Sequence, residues 1–333
     1  MLVTVEGLTK HFVSRRGAAV VAVDDVSLSI QRGETVGLVG ESGCGKSTVG
    51  RCILRLVDVD SGAIVFDGTR IDKLSARELR PVRRRMQMVF QDPLGSTNPA
   101  FTLRHTLEDA LRQADVNGPE RERRMLELLD SVGLSPRLLD RRRGELSGGQ
   151  LQRGTIARAL APEPDFIFLD EPTSALDMSI RGQIVNLLAD LQDARGIAFL
   201  FASHDLGVVR ALAHRVIVMY LGRVVEAGPV EEVLQAPSHP YTMALLAAST
   251  DLDDIAADGD LVVGEPPAEP DRSGCRYADR CPFVHERCSA EPPLFDVAAG
   301  RISRCWLSDN AVSIPLELKP RFRQSHKGDT RDG

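Results

Sequence analysis

Apolar residues recur along the chain with three different periods, and each period predicts a different element. Val3–Leu8 and Val20–Ile30 alternate apolar and polar positions, the signature of antiparallel strands with one buried face. Thr35–Val39, Asp165–Leu169 and Ile197–Ala202 are nearly continuous apolar runs, as expected of strands buried on both faces of a parallel sheet. Ala63–Asp67 and Met86–Gln91 read as further strands, and Val216–Met219 with Arg223–Ala227 read as a hairpin around Leu221 and Gly222. Helical spacing appears at Val49–Leu56, in the stripe Leu103, Leu107, Leu111, and in Met125, Leu128, Leu129, Val132. It returns from Leu146 to Ala161 and again from Ser174 to Arg195, where Ile180, Ile184, Leu187, Leu188 and Leu191 share one face. An α/β fold with a helical insertion over about residues 92–163 follows from this order.

The junction between the strand Thr35–Val39 and the helix after it reads GESGCGKST: Gly40, Glu41, Ser42, Gly43, Cys44, Gly45, Lys46, Ser47, Thr48. A G-x-x-x-x-G-K-[ST] run in that context lets consecutive N–H groups curl round phosphate oxygens at a helix N-terminus. Lys46 would reach the β- and γ-phosphates and Ser47 would hold Mg²⁺. The plainer reading is a glycine-rich turn with a solvated lysine. The apolar strand ending in Asp170 and Glu171 weighs against it, because carboxylates at that end of a core strand lie at the ligand edge of an α/β sheet. Asp170 is then the Mg²⁺ carboxylate, and Glu171 the general base that polarises an attacking water. Ser203 and His204 end the next buried strand in the same way, which favours a γ-phosphate contact for His204 over a purely structural histidine.

Ser147, Gly148, Gly149 and Gln150 open the helix after the insertion. Ser147 and Gln150 have capping-box spacing, so a plain helix start is the bland alternative. Two adjacent glycines cost about 1 kcal/mol each in a helix, which favours a second phosphate-facing surface. Phe12, expected in the loop between the first two strands, is either an ordinary apolar residue or a platform for a purine ring.

Composition narrows the remaining options. The 333 residues allow one large domain and a smaller one, and a net charge of −6 offers no broad basic surface for nucleic acid. The runs Arg83–Arg85 and Arg141–Arg143 lie among acidic residues and read as solvated helix faces. No apolar run reaches membrane-spanning length, and the N-terminus has no signal-peptide pattern. A cytosolic protein is expected, with its six cysteines outside structural disulfides.

The order GESGCGKST, FQDP, LSGGQ, FIFLDEP, SALD and SH resembles that of ATP-binding cassette (ABC) ATPases over about residues 3–235. The resemblance implies a P-loop core with a mixed sheet, an antiparallel β subdomain and a helical subdomain. It also implies ATP and Mg²⁺ as ligands, and Phe12 as the adenine-stacking aromatic. Gln91 becomes a residue that contacts Mg²⁺ and water while sensing a partner, Asp177 a dimer contact and His204 the γ-phosphate switch. Two such ATPases would pair head to tail, the LSGGQ of one closing on ATP held by the other. Leu151 departs from the arginine frequent after LSGGQ in one branch of the family. That branch is indicated by SHPYTMALLAA, EPP and GCRYADRCPF beyond residue 235, which resemble the C-terminal extension of oligopeptide/dipeptide importer ATPases.

Residues 1–235 are therefore expected to form the nucleotide-binding domain and 236–333 an extension that ends in a disordered tail after Trp306. Implied partners are two transmembrane permeases, a second ATPase subunit (a paralogue or a second copy) and an extracytoplasmic solute-binding protein, with no nucleic acid. The subunit would sit peripherally on the cytoplasmic face of the membrane. Nickel or a sugar in place of peptide is the first alternative. A soluble ATPase acting on DNA or ribosomes is the second, but the chain has one cassette and no long heptad run. A redox regulator with a vestigial cassette conflicts with the intact Glu171.

Cys275, Cys281, Cys288 and Cys305 are clustered, and in a reducing compartment such clustering suggests a metal site. The spacing is unlike close zinc pairs and compatible with an iron–sulfur cube, leaving cluster, zinc and plain thiols open in that order. The family resemblance also implies a 4Fe-4S cluster.

Overall fold

The computed structural model describes residues 1–13, 19–249 and 273–309. The EPP at 265–267 and the expected tail beyond residue 309 lie outside them. β1 (Val3–Val13) pairs antiparallel with β2 (Ala19–Ile30) and, on its other side, with β4 (Ser61–Phe66), which pairs with the short β5 (Thr69–Arg70). β1 is longer than its alternating pattern, which fades after Leu8. Register shifts between Val5 and Leu8, Leu8 and Lys10, and Lys10 and His11 break the two-residue period while the pairing continues, so Phe12 lies in the strand opposite Val20 and not in a loop.

The second sheet carries the site. β6 (Met86–Val89), β7 (Phe166–Asp170), β8 (Ala198–Ser203), β3 (Thr35–Val39) and β9 (Arg215–Tyr220) lie parallel in that order. β3, β7 and β8 are buried on both faces, as their unbroken apolar runs require. Alternate residues feed two cores. Leu38, Phe166, Phe168 and Leu200 face α1 (Lys46–Ile53) and the antiparallel sheet, whereas Val39, Leu169, Phe199 and Phe201 face the other helices.

Those helices include α3 (Leu103–Gln113), α4 (Gly118–Ser131) and α5 (Gly148–Leu160), which form the helical insertion, and α6 (Met178–Arg195). α3 packs on α4 and α5 through Leu103, Leu107 and Leu111, the residues of its sequence stripe. α2 (Ala76–Arg85) was legible only at its end, where Arg83–Arg85 read as a solvated helix face, because charged residues dominate it and Leu79 alone is buried. A capping box between Ser75 and Glu78 starts it, with the Ser75 N–H donating to the Glu78 carboxylate at 2.9 Å. Arg83–Arg85 form its last turn.

After α7 (Leu206–Leu212), β10 (Arg223–Pro229) returns antiparallel to β9, and α8 (Val230–Gln235) and α9 (Pro240–Ala247) follow. The boundary expected near residue 235 does not separate two layers. β12 (Arg301–Ser303) pairs with β10, and β11 (Phe295–Ala298) with β12, so the extension continues the main sheet.

Glu226, fully buried on β10, fixes this join. Its carboxylate accepts from the backbone N–H groups of Ser238 at 2.7 Å and His239 at 3.0 Å, and faces Arg301 at 3.4 Å. Burial pushes its carboxyl above the usual range, while those donors pull the other way. Arg301 also donates to the Ala236 carbonyl at 2.6 Å and the Ser238 hydroxyl at 3.2 Å. Breaking a buried pair from one side leaves an uncompensated charge, so Arg301→Met is expected to lose about 3 kcal/mol of stability. Chemical denaturation checks this, and loss of a single cooperative transition spanning core and extension is the expected form.

Candidate nucleotide-binding site

The 40–48 loop connects β3 to α1 and is shaped by close backbone approach. Gly40 has φ +151°, and a Cβ there would stand 2.2 Å from the Met219 carbonyl oxygen. Gly45, at φ +106°, would meet the Ala22 carbonyl oxygen at the same 2.2 Å. Both glycines are thus required by the packing of β2 and β9 against the loop, in addition to any ligand. Lys46 is buried at 4% exposure, with its ammonium donating to the carbonyls of Gly40 at 2.6 Å and Glu41 at 2.9 Å.

β7 delivers Asp170 beneath this loop. The Ser47 hydroxyl donates to Asp170 Oδ1 at 2.7 Å, while Asp170 Oδ2 is buried with no hydrogen-bond partner among the described residues. Arg51 stands 3.7 Å from that second oxygen, beyond hydrogen-bond reach. Burial raises the Asp170 carboxyl above its ordinary range, opposed by the Ser47 hydrogen bond and the Arg51 charge. An orphaned carboxylate oxygen beside a serine hydroxyl is a donor set suited to a hard divalent cation such as Mg²⁺.

Glu171 follows with φ +44°, in the left-handed region that costs a non-glycine residue about 1 kcal/mol or more. Its N–H donates to the Ala202 carbonyl at 3.0 Å, and its carbonyl accepts from the Ser174 N–H at 3.2 Å and hydroxyl at 3.0 Å. The kink brings three sequence-identified groups to one carboxylate. Gln91 Nε2 donates to Oε2 at 3.0 Å, His204 Nδ1 lies 3.3 Å from the same oxygen, and the Lys46 ammonium is 3.9 Å from Oε1. Gln91, Lys46, Ser47, Asp170, Glu171 and His204 therefore form one constellation. It can hold a polyphosphate and a cation beside a carboxylate base.

The other candidates lie apart from these contacts. Ser147 caps α5, its hydroxyl accepting from the Gln150 N–H at 3.3 Å and its N–H donating to the Gln150 side chain at 3.0 Å. The capping box is real, and Gly149 has a packing reason as well: a Cβ there would meet Ile180 Cγ2 at 2.7 Å. At Gly148 the nearest atom would be Leu176 Cδ2 at 3.4 Å, an ordinary contact. Asp177 caps α6, accepting from the Ile180 N–H at 3.0 Å, which lowers its carboxyl pKa. Phe12 is 42% exposed, with the Lys10 ammonium 5.6 Å from its ring centre.

The four clustered cysteines are free thiols. Burial pushes Cys281 and Cys305 up to about 12 and raises Cys275, and neighbouring thiols add to each shift, so the four are gathered near one another. Among the described residues, however, no group of three or more His, Cys, Asp or Glu side chains is placed to hold a metal ion. Gathering fits a metal site; the thiol spacing does not. Sequence reading missed two contacts to the loop itself, from Tyr241 and Arg280, which come from the extension. Their motifs carried only a family resemblance, with no local signal that they reach residue 41.

Comparison with known proteins places the chain in a family. The ABC transporter family matches residues 23–174, and the oligopeptide/dipeptide transporter C-terminal region matches 225–288. A "Probable peptide ABC transporter ATP-binding protein" of Sinorhizobium fredii is 46% identical over 325 residues, covering 95% of this chain and 92% of that protein. The oligopeptide transport ATP-binding protein OppF of Bacillus subtilis is 47% identical over 250 residues, 74% of this chain and 82% of the relative. The dimeric ATP-binding cassette MJ0796 bound to ADP and Pi superposes with a TM-score of 0.62 at 32% identity, over 68% of this chain and 98% of that one.

Ser47→Ala would leave the buried Asp170 carboxylate without the one hydrogen-bond donor it has among the described residues. It is expected to cost about 1–3 kcal/mol of nucleotide-free stability, read by thermal or chemical denaturation. The loss should shrink in Ser47→Ala/Asp170→Asn, where the unpaired charge is gone.

Proposed function

The chain belongs to the ABC transporter family of ATPases, and on that footing we propose that it is the ATP-hydrolysing subunit of a peptide importer. The ATPase class rests on the family match and on likeness to hydrolysis-state cassettes. Peptide as the solute is supported by the names of its relatives and by the C-terminal region they share with it. Among the described residues no helix is long and apolar enough to cross a membrane. By analogy with its peptide-import relatives, the subunit would act peripherally, on the cytoplasmic face, through two permeases fed by a solute-binding protein.

The observation that carries the reading is the convergence of Lys46, Gln91 and His204 on Glu171, beside Ser47 and Asp170. Loop N–H groups and the Lys46 ammonium would hold the β- and γ-phosphates, and Phe12 would stack on adenine. Ser47 and Asp170 would hold Mg²⁺, which supplies charge neutralisation on the phosphate oxygens when bound. Glu171 would take the proton of the attacking water, with Gln91 and His204 setting its orientation and sensing the γ-phosphate. Gly148, Gly149, Ser147 and Gln150 would close on ATP held by a second ATPase subunit, where an α5 N-terminus facing phosphate is electrostatically favoured.

Glu171→Gln keeps shape and loses the base. It is expected to bind ATP with near-native affinity while turnover falls by about 10²-fold or more, measured as phosphate release against equilibrium binding. Turnover close to wild type would remove Glu171 from the base role. Lys46→Ala should instead weaken ATP binding itself. Mixing Ser147→Arg with Lys46→Ala subunits should restore part of the activity if the chain pairs with a second copy.

We also propose that Cys275, Cys281, Cys288 and Cys305 take up a metal centre, a 4Fe-4S cluster ahead of zinc. Supporting it are the buried Cys305 and the half-buried Cys275 and Cys281, whose thiols are pushed up by burial and further by neighbouring cysteines, a repulsion a bound cation would relieve. Anaerobic purification is expected to give brown protein with about four irons per chain. Colourless protein with one zinc reverses the choice, and metal-free protein removes the site.

A further inference from the structure

Glu41, the second residue of the phosphate loop, is held through every polar group it has. Its carbonyl accepts from the Lys46 ammonium at 2.9 Å. Its N–H donates to the Tyr241 hydroxyl at 2.8 Å, and its carboxylate receives both arms of Arg280, Nη2 to Oε1 at 2.8 Å and Nη1 to Oε2 at 3.0 Å. Two of those three attachments come from beyond residue 235. We propose that Arg280 and Tyr241 are positioning residues for ATP binding: through Glu41 they fix the loop that sets Lys46 and the phosphate-facing amides. The proposal rests on the reading that residues 40–48 bind the nucleotide's phosphates.

Arg280 is itself rigidly seated. Its Nη1 donates to the Tyr220 hydroxyl at 3.2 Å, and its guanidinium lies 5.6 Å from the ring centres of both Tyr220 and Tyr277. Tyr220, Tyr241 and Tyr277 pack with centroids 4.6, 5.3 and 5.5 Å apart, and all three are fully buried. The bidentate pair with Glu41 raises the Arg280 pKa further, so it stays charged at any working pH. A second tie braces the other side of the loop. Arg276, four residues earlier, donates to the Leu221 carbonyl at 2.5 Å and to Asp24, and the neighbouring Gly222 N–H donates to the Cys44 carbonyl at 3.0 Å.

None of these groups needs to touch nucleotide. A planar guanidinium fork on a carboxylate fixes direction as well as distance, and a hydroxyl on the Glu41 N–H fixes the peptide plane next to Gly40. The result is a loop whose conformation is set before the ligand arrives, which lowers the ordering cost of binding. A merely structural role, in which the arginine only attaches the extension, predicts instead that any comparable tie would matter equally. Arg223 to Glu291, at 2.9 Å, is such a tie and touches nothing in the loop.

The test uses the full chain and a fluorescent ATP analogue, with hydrogen exchange of the peptide spanning residues 40–48 and thermal unfolding measured alongside. Arg280→Met and Glu41→Gln are each expected to weaken binding about tenfold and to speed loop exchange, and the double variant to be no weaker than either single, because both act through one contact. Tyr241→Phe should weaken binding by a smaller factor with little change in Tm, and Arg280→Lys should recover only part, since an ammonium cannot grip both oxygens. Glu291→Gln should lower Tm slightly and leave affinity and loop exchange unchanged. Affinity and exchange in Arg280→Met and Glu41→Gln matching those of Glu291→Gln would overturn the proposal, as would additive losses in the double variant. If Arg280→Met does not fold, Glu41→Gln and Tyr241→Phe decide alone. Lys46→Ala in the same assay separates the two levels: if it leaves affinity intact, the phosphate-loop reading falls; if it weakens binding while the Glu41 and Tyr241 variants do not, only the positioning role falls.

Discussion

A buried ammonium organises this molecule. Lys46, at 4% exposure, is satisfied by two carbonyls of its own loop, and an ion in that position is tolerable only while those carbonyls stay pointed inward. Holding them there obliges the chain to turn through left-handed glycines packed directly on the backbone of β2 and β9. The antiparallel sheet and the strands beside β3 are thus part of the loop's wall. Their backbone oxygens limit what can stand at Gly40 and Gly45 before any nucleotide is considered.

Opposite charge is placed to complement that ammonium without collapsing onto it. Asp170 is nearly inaccessible, bonded on one oxygen and unpartnered on the other, whereas Glu171 is turned away by its left-handed backbone and contacts Lys46 only at 3.9 Å. Two adjacent carboxylates therefore have different surroundings: one suits a cation, the other faces amide and imidazole groups. Strain at a single residue separates them, and Ala202 and Ser174 hold that strain in place.

The extension belongs to this arrangement. β12 continues the main sheet, Glu226 anchors the chain at Ser238 and His239, and the segment Cys275–Cys281 carries both Arg276 and Arg280 to the neighbourhood of the loop. Cysteines at the two ends of that segment bracket both arginines, so whatever fixes the thiols also fixes the contacts to Asp24 and Glu41. Chemistry at the cysteines and order in the phosphate loop are mechanically adjacent.

Local pattern determined much of this protein. The unbroken apolar runs located β3, β7 and β8, the four-residue leucine stripe located α3, and GESGCGKST at a strand–helix junction located the loop, because period and turn chemistry act over a few residues. Carboxylates at the end of β7 could be placed beside that loop from sheet logic alone. Elements governed by charge or by distant partners were legible only in fragments, as Arg83–Arg85 at the end of α2 were. α2 buries one leucine and is held by its cap, and β1 runs on past Leu8 through bulges that erase its alternation. The glycine at 149, readable from sequence only as a phosphate-facing device, also makes room for Ile180 thirty-one positions away. Arg280 and Tyr241 reach Glu41 across separations of 239 and 200 residues. No window on the sequence registers such contacts, because the sheet order that brings β9, β10 and β12 alongside β3 is decided by the packing of the whole chain.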